Sequence, residues 1–308
     1  MTADTKTTGS TSSNVRTGWL AALLRAVPGV NNLARWLDNR VLLPLALRRA
    51  GWHFGPHYKR IGKRKLMGML RGTFEGETLA VFRRITPKGA VALDVGANFG
   101  FFSRHLSVLV GSSGRVFSFE AHPDVFAYLK RNMSHCSNIR SFNLAVSDKG
   151  GELEFNSMDN PLAHSLFATG GATGNWHVER RIRVPAARID AVLADVDLAD
   201  RPMVVKMDIE GAELIALEGM TELLARAPDV GMVVEYAPAC LEASGAVPRA
   251  LLDLLWRQGF EIYPIEHPVE ELLAPPSPDW HSNLLCLRGA FARAGIDGLS
   301  KLLPEHLV

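Results

Sequence analysis

Cysteine is scarce in this chain: three in 308 residues, Cys136, Cys240 and Cys286. The count is odd and has no metal-type spacing, which argues against a disulfide framework and favours a reducing compartment. Long apolar runs are lacking as well. No stretch reaches the roughly 18 uninterrupted apolar residues of a membrane-spanning helix, and no short basic start with a clean apolar core makes a signal peptide. A cytoplasmic location is therefore expected. An excess of charge of one sign is also missing, since the formal net charge is +2. That balance gives no global argument for a nucleic-acid partner, and none is expected. What remains is an ordinary globular composition: 47% hydrophobic content is ample for a buried core, and the length suits one large α/β domain with an N-terminal extension.

The start of the chain differs from the rest. Residues 1–16 are rich in Thr and Ser, carry no hydrophobic periodicity and are expected to be a disordered tail. Residues 17–80 form an expected helical cap. Within it, Gly18 to Phe54 shows helical apolar patterns (Trp19, Leu20, Leu23, Leu24; Leu33, Trp36, Leu37, Val41, Leu42) punctuated by arginines. Such basic amphipathic helices either cover the sheet or substrate, or make a peripheral contact with an acidic membrane surface. Tyr58 to Arg84 is locally basic, but acids follow at Glu75 and Glu77, so a solvated face is favoured over phosphate binding. The main domain is expected over 81–288, and 289–308 reads as a peripheral helix and tail.

The most informative stretch is Val91 to Gly100, VALDVGANFG. A short apolar run enters a glycine-rich turn with helix-compatible residues beyond it, which reads as strand, tight turn and helix, the place where an α/β sheet builds a ligand site. The Gly-x-Gly-x-x-Gly fingerprint of dinucleotide binding is absent, because Gly96 and Gly100 are separated by three residues. A nicotinamide-dependent dehydrogenase is thereby disfavoured. Asp94 suits a cationic or amine-bearing ligand better than a phosphate. Twenty residues after Gly100, Glu120 closes the next strand, Arg115 to Glu120, where an acid can accept two hydrogen bonds from a ribose diol. Pro123 opens a helix to Met133, and a third strand is expected from Ile139 to Ala145, with Ser147 and Asp148 behind it near an adenine ring. Nucleoside recognition is the best reading of these residues.

Four blocks in order, DVGANFG, FEAHPDVFAYLKRN, NLAVSDKGGELEF and VVKMDIEGAELIALEGM, resemble those of the FkbM-type methyltransferases, which use S-adenosylmethionine. The similarity runs from about Phe82 to Leu287, and the Lys-x-Asp-x-Glu-Gly-x-Glu block at Lys206 to Glu213 is its most specific part. The resemblance implies a Rossmann-like sheet and methylation of a hydroxyl on a saccharide, glycolipid or polyketide-like acceptor. It also implies that Asp94, Gly96, Asn98 and Gly100 surround the methionine part of the cofactor, Glu120 the ribose, and Ala145 and Val146 the adenine. The helix before the glycine turn would help close the site, with Phe74, Glu75 and Glu77 as candidates. A catalytically silent binding protein of the same fold is the alternative, and it would not explain why the cofactor and Asp208 positions are intact.

Transfer of a methyl group to oxygen requires alignment of the acceptor and removal of its proton. Met203 to Asp208 reads as a central buried strand, with Lys206 and Asp208 on one face. A buried lysine needs a carboxylate, and Asp94, Asp208 and Glu235 are the candidates. Asp208, at the strand's carboxyl end, is the first choice for a catalytic or acceptor-binding group. Glu210 falls in the turn that follows, Glu213 at the start of the next helix, and Glu235 at the end of a strand from Val230 to Tyr236. Asp208, Glu210, Glu235 and His164 would suffice for a divalent cation of the magnesium type; the same acids would equally bind acceptor hydroxyls. Asn156 to Arg181 reads as a polar insertion able to close over the acceptor, with His164 as a candidate general base. The expected architecture is a mainly parallel seven-stranded sheet with helices on both faces. It is preceded by the helical cap and finished by the helix Pro248 to Gln258 and an antiparallel pair, Phe260 to Pro264 and Asn283 to Leu287.

Overall fold

The computed structural model describes residues 41–167, 177–273, 277, 280–294 and 301. The Ser/Thr-rich start, the apolar patterns up to residue 40, Gly170, Gly171, Gly174 and Trp176 of the insertion, Pro275, Pro276 and Pro278, and most of the expected C-terminal tail lie outside the described residues. The chain divides into two compact units, Met1–Trp52 and His53–Val308. In the first, the described residues form a short helix, Leu43–Arg49, with proline in its first turn and Arg48 and Arg49 in its last.

The second unit is built on a seven-stranded sheet, in spatial order β3 (Ile139–Phe142), β2 (Arg115–Phe119), β1 (Val91–Val95), β7 (Met203–Met207), β8 (Val230–Tyr236), β10 (Ser282–Arg288) and β9 (Glu261–Pro264). Its centre is β1 and β7, and every residue of both is buried. Apart from Asp94 and Lys206 both strands are apolar throughout, as a parallel strand covered on both faces requires. Strands β2 and β3 extend the sheet on one side of β1, and β8 on the other side of β7, all parallel to their neighbours. β10 pairs antiparallel with both β8 and β9 and closes that edge. The chain runs outward from β1 to β3 and then returns to β7. That reversal opens a crevice at the carboxyl ends of β1 and β7, where ligands bind in such sheets.

Helices α1 (Lys63–Arg71), α2 (Gly76–Ile85), α3 (Phe101–Val110), α4 (Pro123–Asn132), α5 (Glu213–Glu218), α6 (Thr221–Arg226), α7 (Pro238–Ala243) and α8 (Pro248–Arg257) accompany the strands. The proline at the head of α4 sits where a missing N–H costs nothing, and the His122 ring caps this helix by accepting from the Asp124 amide.

Two sequence expectations need correction. The run Ile139 to Ala145 is not one strand: β3 stops at Phe142, and β4 (Ala145–Val146) belongs to a separate three-stranded sheet of order β4-β6-β5. The break falls at Asn143, whose side-chain amide donates to the carbonyls of Glu120 and Ala121 at 2.8 and 2.9 Å and so turns the chain away from β2. The polar insertion expected over Asn156 to Arg181 is shorter than expected, because residues 156–158 and 178–181 are strand. Its ends belong to β5 (Gly151–Met158) and β6 (Val178–Ala187), paired antiparallel. Alternation of polar and apolar residues in GELEF and VERRIRV is the signal for this pair. Phe155, Val184, Ala145 and Ala186 form its own small core.

Candidate active site

A cleft with about 960 Å³ of empty space, its open mouth included, lies at the carboxyl ends of β1 and β7. It is lined by every residue from Asp94 to Phe99 and by Glu120, Ala145, Val146, His164, Asp208 and Glu210. The structure thus gathers the expected cofactor residues, Gly100 excepted, around one opening. Gly100 stands just behind, as the left-handed N-cap of α3 with φ 92°.

The two glycines of the turn serve packing. A Cβ on Gly96 would lie 1.9 Å from the Asp208 carbonyl oxygen, and one on Gly100 would lie 2.8 Å from a Leu129 methyl. Gly96 therefore lets the β1 turn press against the end of β7, and Gly100 lets α3 approach α4. Gly96 lines the cleft at the same time.

Asp94 is buried, and its Oδ2 accepts from Ser103 Oγ at 2.5 Å; burial pushes its carboxyl up to about 6. Glu120 accepts from the His122 amide at 2.8 Å and the Asn98 amide at 2.9 Å, and burial pushes it up to about 7. Each of its oxygens keeps a second lone pair, the capacity that a diol requires. Ala145, Val146, Phe155 and Leu166 supply apolar wall beyond it. Ser147 and Asp148 hydrogen-bond to each other at 3.0 Å and are not among the lining residues.

At the other end, Asp94 stands opposite Lys206 in the β1–β7 register. Lys206 Nζ meets Asp208 Oδ2 at 2.7 Å and lies 4.9 Å from the centre of the Phe102 ring. The buried lysine thus finds its carboxylate in Asp208. Burial works against the ammonium, yet Asp208, Glu75 and Asp94 outweigh it and hold Lys206 above its ordinary value. Burial would likewise raise Asp208, but Lys206 prevails and keeps its carboxyl below the usual range. Glu235, coming from β8, hydrogen-bonds Asp208, and burial together with that neighbouring carboxylate holds its own carboxyl far above the usual range. Glu235 therefore carries the proton between them, and its Oε2 is buried with no partner among the described residues. Glu210 is pushed up to about 8 by burial, with Asp208 adding to it. Carboxylate oxygens of Asp208, Glu210 and Glu235 come within 4.8 Å of one another.

His164 lines the same cleft but does not join that group of acids. Its Nδ1 accepts from the Met158 amide at 2.9 Å, so a neutral ring carries its proton on Nε2. Burial pushes the ring down to about 3, and it stacks on His122 with centroids 4.3 Å apart. Glu213 acts locally, because its carboxylate accepts from the Ile209 amide at 2.9 Å and the Gly211 amide at 3.0 Å and so fixes the turn carrying Glu210. Glu75, which the resemblance implies as a residue closing the site, lines the cavity with φ 44° and is pushed up to about 7 by burial; Phe74 lines it too, whereas Glu77 is exposed and does not. Sequence reasoning missed Ser103 and gave Ser165, a residue of the insertion, no role, for single serines carry no periodic signal. It also left His122 unassigned.

The Methyltransferase FkbM domain matches residues 94–262. The chain belongs to the FkbM methyltransferase family. This is a family of S-adenosylmethionine-dependent enzymes. Among relatives, 2-O-methyltransferase NoeI of Sinorhizobium fredii is 27% identical over 175 residues, 54% of this chain and 70% of its own length. Hexuronic acid methyltransferase AglP of Haloferax volcanii is 26% identical over 156 residues, 50% of this chain and 59% of its own length. The solved methyltransferase FkbM of Methylobacillus flagellatus superposes with a TM-score of 0.41 at 16% identity, over 82% of this chain and 60% of the other. Among the described residues of this family member, no helix is long and apolar enough to cross a membrane.

Proposed function

We propose that this FkbM-family protein transfers the methyl group of S-adenosylmethionine to a hydroxyl of a saccharide or glycoconjugate. The observation that carries the reading is the pairing of two chemistries in one cleft: a desolvated carboxylate beside an apolar wall at Glu120, and three converging acids at Asp208, Glu210 and Glu235. The first suits a nucleoside, since Glu120 retains lone pairs for the ribose diol and Ala145 and Val146 offer a flat apolar contact for the base. Asp94 and the turn from Gly96 to Gly100 would hold the amino-acid part, the carboxylate answering its ammonium. When bound, the cofactor supplies an electrophilic methyl on a sulfonium.

The chain's own residues then do the rest. Lys206 keeps Asp208 ionised through the neutral range, which makes Asp208 the proposed acceptor of the hydroxyl proton. Protonated Glu235 and Glu210 orient neighbouring hydroxyls, and the Lys206 ammonium already supplies the positive charge beside Asp208. The reading therefore gives these acids to hydroxyl binding and leaves a divalent cation out. A relative that is a 2-O-methyltransferase and another that acts on a hexuronic acid support a saccharide acceptor.

Calorimetry with S-adenosylhomocysteine, and transfer of labelled methyl groups to a panel of mono- and oligosaccharides, test the reading. Glu120→Ala should weaken nucleoside binding by about tenfold or more, as loss of charged hydrogen bonds does. Asp208→Asn should leave binding intact while turnover falls by about 10² to 10⁴. Unchanged affinity in the first variant, or full turnover in the second, would sink the assignment.

A further inference from the structure

Three non-glycine residues of the described chain adopt left-handed backbone, Glu75 (φ 44°), Asn98 (φ 50°) and Glu210 (φ 54°), and all three line the cleft. Such conformations persist only where surrounding structure holds them. Two of the three are held by one short segment, residues 160–167. Asn98 Nδ2 donates to the Pro161 carbonyl at 3.0 Å, and Ser165 Oγ donates to the Glu210 carbonyl at 2.6 Å.

Ser165 is itself firmly fixed. It has no exposed surface, and its backbone pairs with Asn156 in both directions, at 2.8 and 3.3 Å. The hydroxyl oxygen accepts from the Phe167 amide at 3.1 Å, so its single proton is committed to Glu210. On the far side of the turn, the amides of Ile209 and Gly211 are held by Glu213. Gly211 packs so closely that a Cβ there would lie 2.6 Å from the Cys240 carbonyl. Peptide groups on both sides of Glu210 are thus anchored, and Ser165 provides a hydrogen bond to this turn from a different part of the chain.

We propose that Ser165 is a positioning residue for the acceptor end of the cleft: its hydroxyl holds Glu210 in left-handed backbone, and so keeps the Glu210 carboxyl beside Asp208 and Glu235. The proposal rests on the reading of those acids as the acceptor end. Because the same segment holds Asn98, it also joins the nucleoside turn to the acid turn.

A double-mutant cycle with Glu210→Gly tests this, since glycine takes left-handed backbone without strain. The urea midpoint and the affinity for S-adenosylhomocysteine are read for each variant, and the titration of the Glu210 carboxyl, followed by carbon-13 NMR and assigned with Glu210→Gln, for those that keep Glu210. Ser165→Ala should leave the affinity within about threefold of wild type. It should bring the Glu210 titration down by about one pH unit or more, as the turn relaxes into water. In the Glu210→Gly background it should move the urea midpoint by less than about half of its effect in wild type. Should Ser165→Ala fail to fold, Ser165→Cys keeps the volume with a weaker donor and gives the same readouts. An unaltered Glu210 titration, or strictly additive midpoints, would overturn the proposal. If S-adenosylhomocysteine does not bind the wild-type protein, the cofactor reading fails, while the titration and the cycle still decide the role of Ser165.

Discussion

Lys206 shows how one side chain organises the chemistry around it. A lone buried ammonium is costly, yet here it faces Asp208 at 2.7 Å with Asp94 and Glu75 nearby, and it lowers the cost of keeping several acids in one crevice. Replacement by methionine preserves much of the volume and leaves those acids without a cation. Lys206→Met should destabilise the fold by roughly 3 kcal/mol, the usual result of breaking a buried pair on one side. Asp208 should then titrate higher. Urea unfolding at several pH values checks both, since protonation of Asp208 makes the loss smaller in acid.

Among the elements, the antiparallel edge of the sheet is secured by an arginine rather than by strand pairing alone. Arg288, the last residue of β10, donates to the carbonyls of Leu224, Ala227 and Gln258, the latter two at 2.9 Å, and so caps the ends of α6 and α8. Its guanidinium also lies 4.9 Å from the centre of the Phe260 ring. Arg288→Ala should cost about 2 kcal/mol, because three carbonyls lose a charged donor. Affinity for S-adenosylhomocysteine should hold, since none of these groups lines the cleft. Thermal unfolding and calorimetry on the same variant separate the two effects. The element scale is also where the sequence was least legible. β3 and β4 read as one run because the local pattern is uniformly strand-like, and only the side chain of Asn143, bonded back to Glu120 and Ala121, divides them.

For the molecule as a whole, the acids of the cleft make stability depend on pH with a definite sign. Glu75, Glu120 and Glu213 are raised by burial to about 7 and Glu210 to about 8, above their unfolded value near 4.5. The folded state therefore holds more protons than the unfolded one until these groups ionise, and the stability they contribute is lost as pH rises through 7 and 8. Two histidines act oppositely: the buried His122 and the partly buried His164 are lowered to about 4 and 3, so they cost stability only below their unfolded value of 6.5. Between about pH 6.5 and 8.5 the acids decide, and the ligand-free protein should lose on the order of 1 kcal/mol or more across that range. Denaturant titrations at fixed ionic strength test the sign. Greater stability at pH 8.5 than at 6.5 would contradict the burial of these carboxyls.

Much of the fold was written locally. The apolar run and glycine turn of VALDVGANFG, the acid at Glu120, the proline opening α4 and the Lys-x-Asp-x-Glu-Gly block are short-range patterns, and each reports a strand end, a turn or a helix start without reference to distant residues. Which partners those ends would meet was not local. Only packing decided that Lys206 would pair with Asp208, that Glu235 would keep a proton against it, and that His164 would stack on His122 as a neutral ring. The glycines make the same division plain. Sequence identified the turn, but the reason for Gly96 is the Asp208 carbonyl pressed against it, a contact between residues more than a hundred positions apart. Short-range patterns follow from backbone sterics and periodicity, whereas ionisation states and close approaches depend on which groups burial brings together.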